Sequence, residues 1–140
     1  MQESFGFCRT IIIPEFYGSE LKETSQIREV VDYGAFMTET GIDEDTLIEI
    51  YEVFRDELLG EKEKLPACLS RNDYVKLGKI VHNIKGISGS YKAGKVFVQA
   101  SLIDLDLKEG KYEGIHQNLS KLTDEIEAAA LDIKQRFSIL

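Results

Sequence analysis

Proline is nearly absent from this chain, with two in 140 residues. That scarcity, together with long periodic segments, favours helix over strand. Cysteine is equally scarce. Cys8 and Cys68 have neither metal-ligand nor redox spacing, so they read as reduced thiols of a cytoplasmic protein unless the fold brings the pair together. No apolar run approaches the ~18 residues needed to span a bilayer, which excludes membrane insertion. Met1 is followed by Glu3 and only a short apolar patch, so no secretory signal is visible. An excess of positive charge is also missing: the formal net charge is −8, which argues against nucleic acid as a partner. There is no glycine-rich ATP loop, no internal repeat, no low-complexity tract and no alternation of strand and helix patterns.

What is present is helical periodicity. Asp43 is a good N-cap, with Glu44 and Asp45 in the first turn where the helix dipole favours acids. Leu47, Ile50, Tyr51, Phe54, Leu58, Leu65, Cys68 and Leu69 then follow a 3.6-residue period, with Gly60 and Pro66 as defects and a kink expected at Pro66. Ser70-Arg71-Asn72-Asp73 reads as a turn whose Asn72 or Asp73 caps the next helix. That helix carries Leu77, Ile80, Ile84, Ile87 and Tyr91 as one apolar stripe and runs to about Ser90. Gly89, Lys92 and Gly94 mark a tight bend. A further stripe follows at Val96, Ala100, Ile103 and Leu107, and after Glu109-Gly110-Lys111 a last one from Ile115 to Phe137 with bundle-like spacing. These segments predict an all-α protein: an antiparallel up-down four-helix bundle over 32–140, preceded by an N-terminal arm or short helix over 1–31. Within that arm, Thr10-Ile11-Ile12-Ile13-Pro14 is a β-branched run and Ser19 a possible helix cap; after it, Phe36 and Met37 form a short apolar plug.

Against the acidic background lies a basic island. From residue 71 to 95, Arg71, Lys76, Lys79, Lys85, Lys92 and Lys95 face Asp73 alone, which suits an anionic ligand or an acidic partner surface. His82 sits within it and off the apolar stripe. At helical spacing its neighbours are Gly78, Lys79, Lys85, Gly86 and Gly89. The imidazole is therefore expected to point to water between ammonium groups and positions without side chains. Glycine at three sites of one helix costs about 1 kcal/mol each against alanine, and close approach of another protein surface is the usual compensation. A neutral imidazole near pH 7 is a competent nucleophile for phosphoryl transfer. Lys85 and Lys79 supply cations for the phosphate, and Gly78, Gly86 and Gly89 leave room for a docking protein. The other ring nitrogen needs a partner from the neighbouring helix, for which Asp104 and Gln99 are the candidates; Ser88, also grouped with the site, reads as a small packing residue. His116 lacks such neighbours and reads as a surface residue. Glu113 and His116 form a single Glu-x-x-His pair, whereas a bundle metal site needs two, so no metal and no cofactor is expected.

The run His82-Asn83-Ile84-Lys85-Gly86-Ile87-Ser88 resembles the signature of histidine phosphotransfer (HPt) domains, in which His is followed by two residues, Lys-Gly, another residue and a small one. The resemblance extends over roughly 32–137. It implies a four-helix bundle that relays phosphoryl groups between aspartates of receiver domains. It also implies His82 as the phosphorylated residue, Lys85 as the phosphate-stabilising one and Gly86 as clearance for the receiver. The family commonly has an acidic or amide residue twenty-two positions after the His, next to an apolar one, and here Ile103-Asp104 stands there. Ten residues after the His the family usually has Gly, and this chain has Lys92. The implied partners are receiver domains of response regulators and of a hybrid histidine kinase. The implied protein is a monomeric phosphocarrier without kinase activity of its own, the alternative being a non-phosphorylated adaptor that docks on a receiver by the same helix face.

Overall fold

The structure is a computed structural model and describes residues 30–137. The Thr10–Pro14 run and the helix expected after Ser19 lie outside the described residues. Five helices follow in order: α1 (Tyr33–Thr40), α2 (Glu44–Ser70), α3 (Tyr74–Ser90), α4 (Gly94–Lys108) and α5 (Ile115–Phe137), with no strand among the described residues.

Local chemistry sets the helix ends. Asp32, Asp43 and Asp73 each accept the backbone N–H three residues on, capping α1, α2 and α3. Gly41, at φ 72°, closes α1 in the left-handed conformation with its N–H on the Met37 carbonyl. The long helix α2 carries through Pro66 to Ser70. Pro66 has no N–H to give the carbonyl one turn back, yet the apolar period resumes beyond it at Cys68, which is buried.

Each long helix buries one stripe. Leu47, Tyr51, Phe54 and Leu58 of α2 are fully buried, as are Leu77, Val81 and Ile84 of α3, Ala100 and Ile103 of α4, and Leu122, Ile126 and Ile133 of α5. The helices pack α2 on α3, α3 on α4, α4 on α5 and α5 back on α2, the cyclic order of an up-down bundle. Aromatic contacts show the alternation of direction. Tyr51, near the start of α2, meets Tyr91 just past the end of α3 at 5.7 Å and Phe137 at the end of α5 at 6.2 Å. At the other end, Tyr74 at the start of α3 stacks on Tyr112, beyond α4, at 4.1 Å and 8°.

The short helix α1 closes the first of these ends. Phe36, the expected plug, is buried and stacks on Tyr91 at 5.3 Å, while Tyr33 stands edge-on to Tyr51 at 4.9 Å and donates its hydroxyl to Asp132 at 2.7 Å. Such aromatic pairs contribute about 0.5–1.5 kcal/mol each beyond their buried area. The core also takes in Val31 and, at its edge, Val30, just ahead of the expected boundary at 32. Asp32 N–H ties this entry to the Lys92 carbonyl at 3.0 Å.

Candidate functional site

His82 lies midway along α3, on the side away from the stripe that buries Leu77, Val81 and Ile84. Its side chain is 67% exposed, as the off-stripe position predicts. It forms a ridge between two shallow depressions. One runs along the α3–α4 seam and is lined by Tyr74, Gly78, Lys79 and Lys108 among others. The other lies on the α2 side, with Glu57, Gly86 and Tyr91. A Cβ built at Gly78 or at Gly86 meets nothing within 4 Å, so both glycines present bare backbone to open space one turn either side of the imidazole.

Across the seam, α4 turns Asp104 inward beside Ile103. The carboxylate is 5% exposed, and one oxygen, Oδ2, receives three groups: Lys108 Nζ at 3.0 Å, Lys85 Nζ at 3.5 Å and His82 Nδ1 at 3.7 Å. A buried carboxylate needs such partners, because unpaired burial of charge is strongly unfavourable. The 3.7 Å approach is longer than a hydrogen bond, so the imidazole lies beside the carboxylate without being clamped by it. The ring nitrogen nearer Asp104 is Nδ1, and Nε2 is the farther one.

No family model matches the sequence. No curated protein matches it either. Among solved structures, the chain is similar to the HPt domain of a sensor hybrid histidine kinase from Shewanella, with a TM-score of 0.69 at 20% sequence identity, over 79% of this chain and 96% of that one. The fold is that of a histidine phosphotransfer domain.

Within this HPt fold some expected site residues come together and others do not. His82, Lys85 and Asp104 meet around one oxygen, and Lys79, exposed, lines the same depression as His82. Gly89, unlike Gly78 and Gly86, faces a neighbouring side chain rather than open space. A Cβ there would lie 3.0 Å from Phe97 Cδ1 and 3.1 Å from Phe97 Cε1, so the glycine admits the α4 ring against α3. Gln99 is not a partner of His82, because its amide donates to the Asn118 carbonyl at 3.1 Å on the α5 side of α4. Ser88 is fully buried and donates to the Lys85 carbonyl at 3.2 Å, as a small packing residue of α3. His116 is exposed, as expected, and the described residues contain no cluster of His, Cys, Asp and Glu fit for a metal ion.

The departure at residue 92 has a structural answer. Lys92 adopts φ 64°, the left-handed conformation that glycine takes most readily, and its ammonium pairs with Glu39 at 2.7 Å. The tight bend is thus made by a lysine. Sequence reasoning missed Lys108, although its spacing of four from Asp104 on one helix is a readable signal. It also missed the Tyr74–Tyr112 stack, which joins residues far apart in sequence.

Proposed function

We propose that this chain is a phosphocarrier of a multistep phosphorelay, taking a phosphoryl group on His82 from a receiver-domain aspartate and handing it to another receiver. The observation that carries the reading is the pairing of an exposed imidazole with a buried carboxylate: His82 Nδ1 faces Asp104 Oδ2 at 3.7 Å while the ring is 67% exposed. A carboxylate at Nδ1 favours the tautomer with the proton on that nitrogen and leaves a lone pair on Nε2.

In the proposed step Nε2 attacks the phosphorus of an aspartyl phosphate. The N–P bond forms as the acyl P–O bond breaks, and the aspartate leaves as a carboxylate. The Nδ1 proton stays in place on the side of the ring that faces Asp104. Lys85, and Lys79 one turn back, offer cations to the phosphoryl oxygens. Onward transfer reverses the step on a second aspartate. Because both phosphodonor and acceptor belong to other proteins, the chain needs no nucleotide site and no kinase activity of its own. Gly78 and Gly86 give the incoming receiver access, and the basic island between Arg71 and Lys95 suits the acidic pocket of such a partner. This role places the protein in the cytoplasm, as a monomer, with receiver domains of response regulators and of a hybrid histidine kinase as its partners.

The test is incubation with a phosphorylated receiver domain, followed by measurement of acid-labile phosphate on the chain. Transfer of up to one phosphoryl group per chain, located on His82, is expected. Complex formation with receivers but no transfer from any of a host's set would replace the carrier by an adaptor that docks with the same face.

A further inference from the structure

Asp104 Oδ2 is shared unequally. Lys108 is the nearest of its three partners at 3.0 Å, ahead of Lys85 at 3.5 Å and His82 Nδ1 at 3.7 Å. The origins of these contacts differ. Lys108 lies four residues after Asp104 on α4, so one helix sets that pair by itself. Lys85 reaches over from α3, at the outer limit of a hydrogen bond. Lys85 therefore makes the longer of the two lysine contacts with Asp104.

Resting on the phosphocarrier reading, we propose that Lys108 is a positioning residue of this site. It keeps the buried Asp104 carboxylate neutralised, so that Lys85 can turn to the phosphoryl group and His82 stays an uncharged nucleophile. Two physical requirements meet here. If Lys85 were the sole cation on Asp104, its turn toward phosphate would strand a carboxylate that is 5% exposed. An Asp104 without its own counter-ion would also stabilise the protonated imidazole, and imidazolium has no lone pair to attack with. The other charges near the imidazole do not duplicate Lys108. Lys79 and Lys85 lie on α3, Glu57 lines the depression on the α2 side, and no residue of α5 lines either depression.

The experiment is an NMR titration of the His82 imidazole in the full chain, which has only one other histidine, His116. Lys108→Met and Lys108→Arg are compared in the native and the Asp104→Asn backgrounds. Lys108 is 62% exposed, so neither change disturbs the core. Lys108→Met is expected to raise the His82 midpoint, because a carboxylate without its counter-ion favours the protonated ring. Lys108→Arg should restore it. In the Asp104→Asn background Lys108→Met should move the midpoint by less than half as much, because the carboxylate through which it acts is gone. Phosphoryl acceptance at pH near 7 should fall several-fold in Lys108→Met and recover in Lys108→Arg. An unshifted midpoint, or an equal shift in both backgrounds, overturns the proposal and leaves Lys108 an ordinary surface charge. The titration needs no phosphoryl donor, so it stands or falls separately from the phosphocarrier reading, which fails if the native chain takes no phosphate.

Discussion

The Asp32 amide donates to the carbonyl of Lys92 at 3.0 Å, and Lys92 holds φ at 64° to present it. The residue that joins α3 to α4 thereby also anchors the entry of α1. A left-handed conformation costs an L-residue about 1–2 kcal/mol, offset here by that hydrogen bond and by the Glu39 pair. Lys92→Gly should keep stability within about 1 kcal/mol of the native chain. Lys92→Val should lose about 1–3 kcal/mol, because a β-branched side chain is least tolerant of this region. Urea denaturation compares the two, and a valine variant as stable as the glycine variant contradicts the strain.

The three glycines of α3 separate into two kinds. A methyl at Gly86 meets open space, whereas one at Gly89 meets the Phe97 ring at 3.0 Å. Gly86→Ala should gain about 0.5–1 kcal/mol from helix propensity. Gly89→Ala should be less stable than Gly86→Ala by about 1–2 kcal/mol, since the ring must shift. Gly86→Gln should weaken receiver binding while the unfolding midpoint holds. Equal receiver affinity of Gly86→Gln and native protein would remove the clearance argument.

His82→Gln should abolish phosphoryl acceptance with helical circular dichroism unchanged, since the side chain is mostly solvent-exposed. Its stability should stay within about 0.5 kcal/mol of native. His116→Gln, at the other histidine, should accept phosphate normally. Acceptance that survives in the first variant and fails in the second would move the site.

Alkaline pH should expose the aromatic end of the bundle. Burial, and then the hydrogen bond to Asp132, hold the Tyr33 hydroxyl well above its ordinary pKa of 10.0. Burial also raises Tyr51, whose hydroxyl donates to the Tyr91 carbonyl. Below about pH 10 both phenols are protonated in the folded and unfolded states, and their contribution is fully present. Above it the unfolded chain ionises first, so stability falls as pH rises toward the folded values. Tyr33→Phe should flatten that decline between about pH 9 and 11, read as urea midpoints. An identical slope in the variant would mean that Tyr33 is free to ionise in the folded state.

Much of this protein is written in one dimension. The caps at Asp43 and Asp73, the apolar stripes and the glycine-flanked His82 are local patterns, because a helix sets its neighbours at three and four residues and its ends by side chains within one turn. Those patterns determined the helices, their order, and that the imidazole of His82 faces water. Relations between helices depend on register and rotation, which periodicity leaves open. Gly89 and Gly86 look alike along the chain, and only the packing of α4 on α3 brings Phe97 against one of them. Helical spacing alone left both Gln99 and Asp104 as candidates for the ring nitrogen, and the rotation of α4 sends one toward Asn118 and the other toward His82. The gathering of Lys85, Lys108 and His82 on a single carboxylate oxygen was likewise decided by tertiary structure, because it takes two helices docked within side-chain reach to bring those atoms within 4 Å of one another's partner.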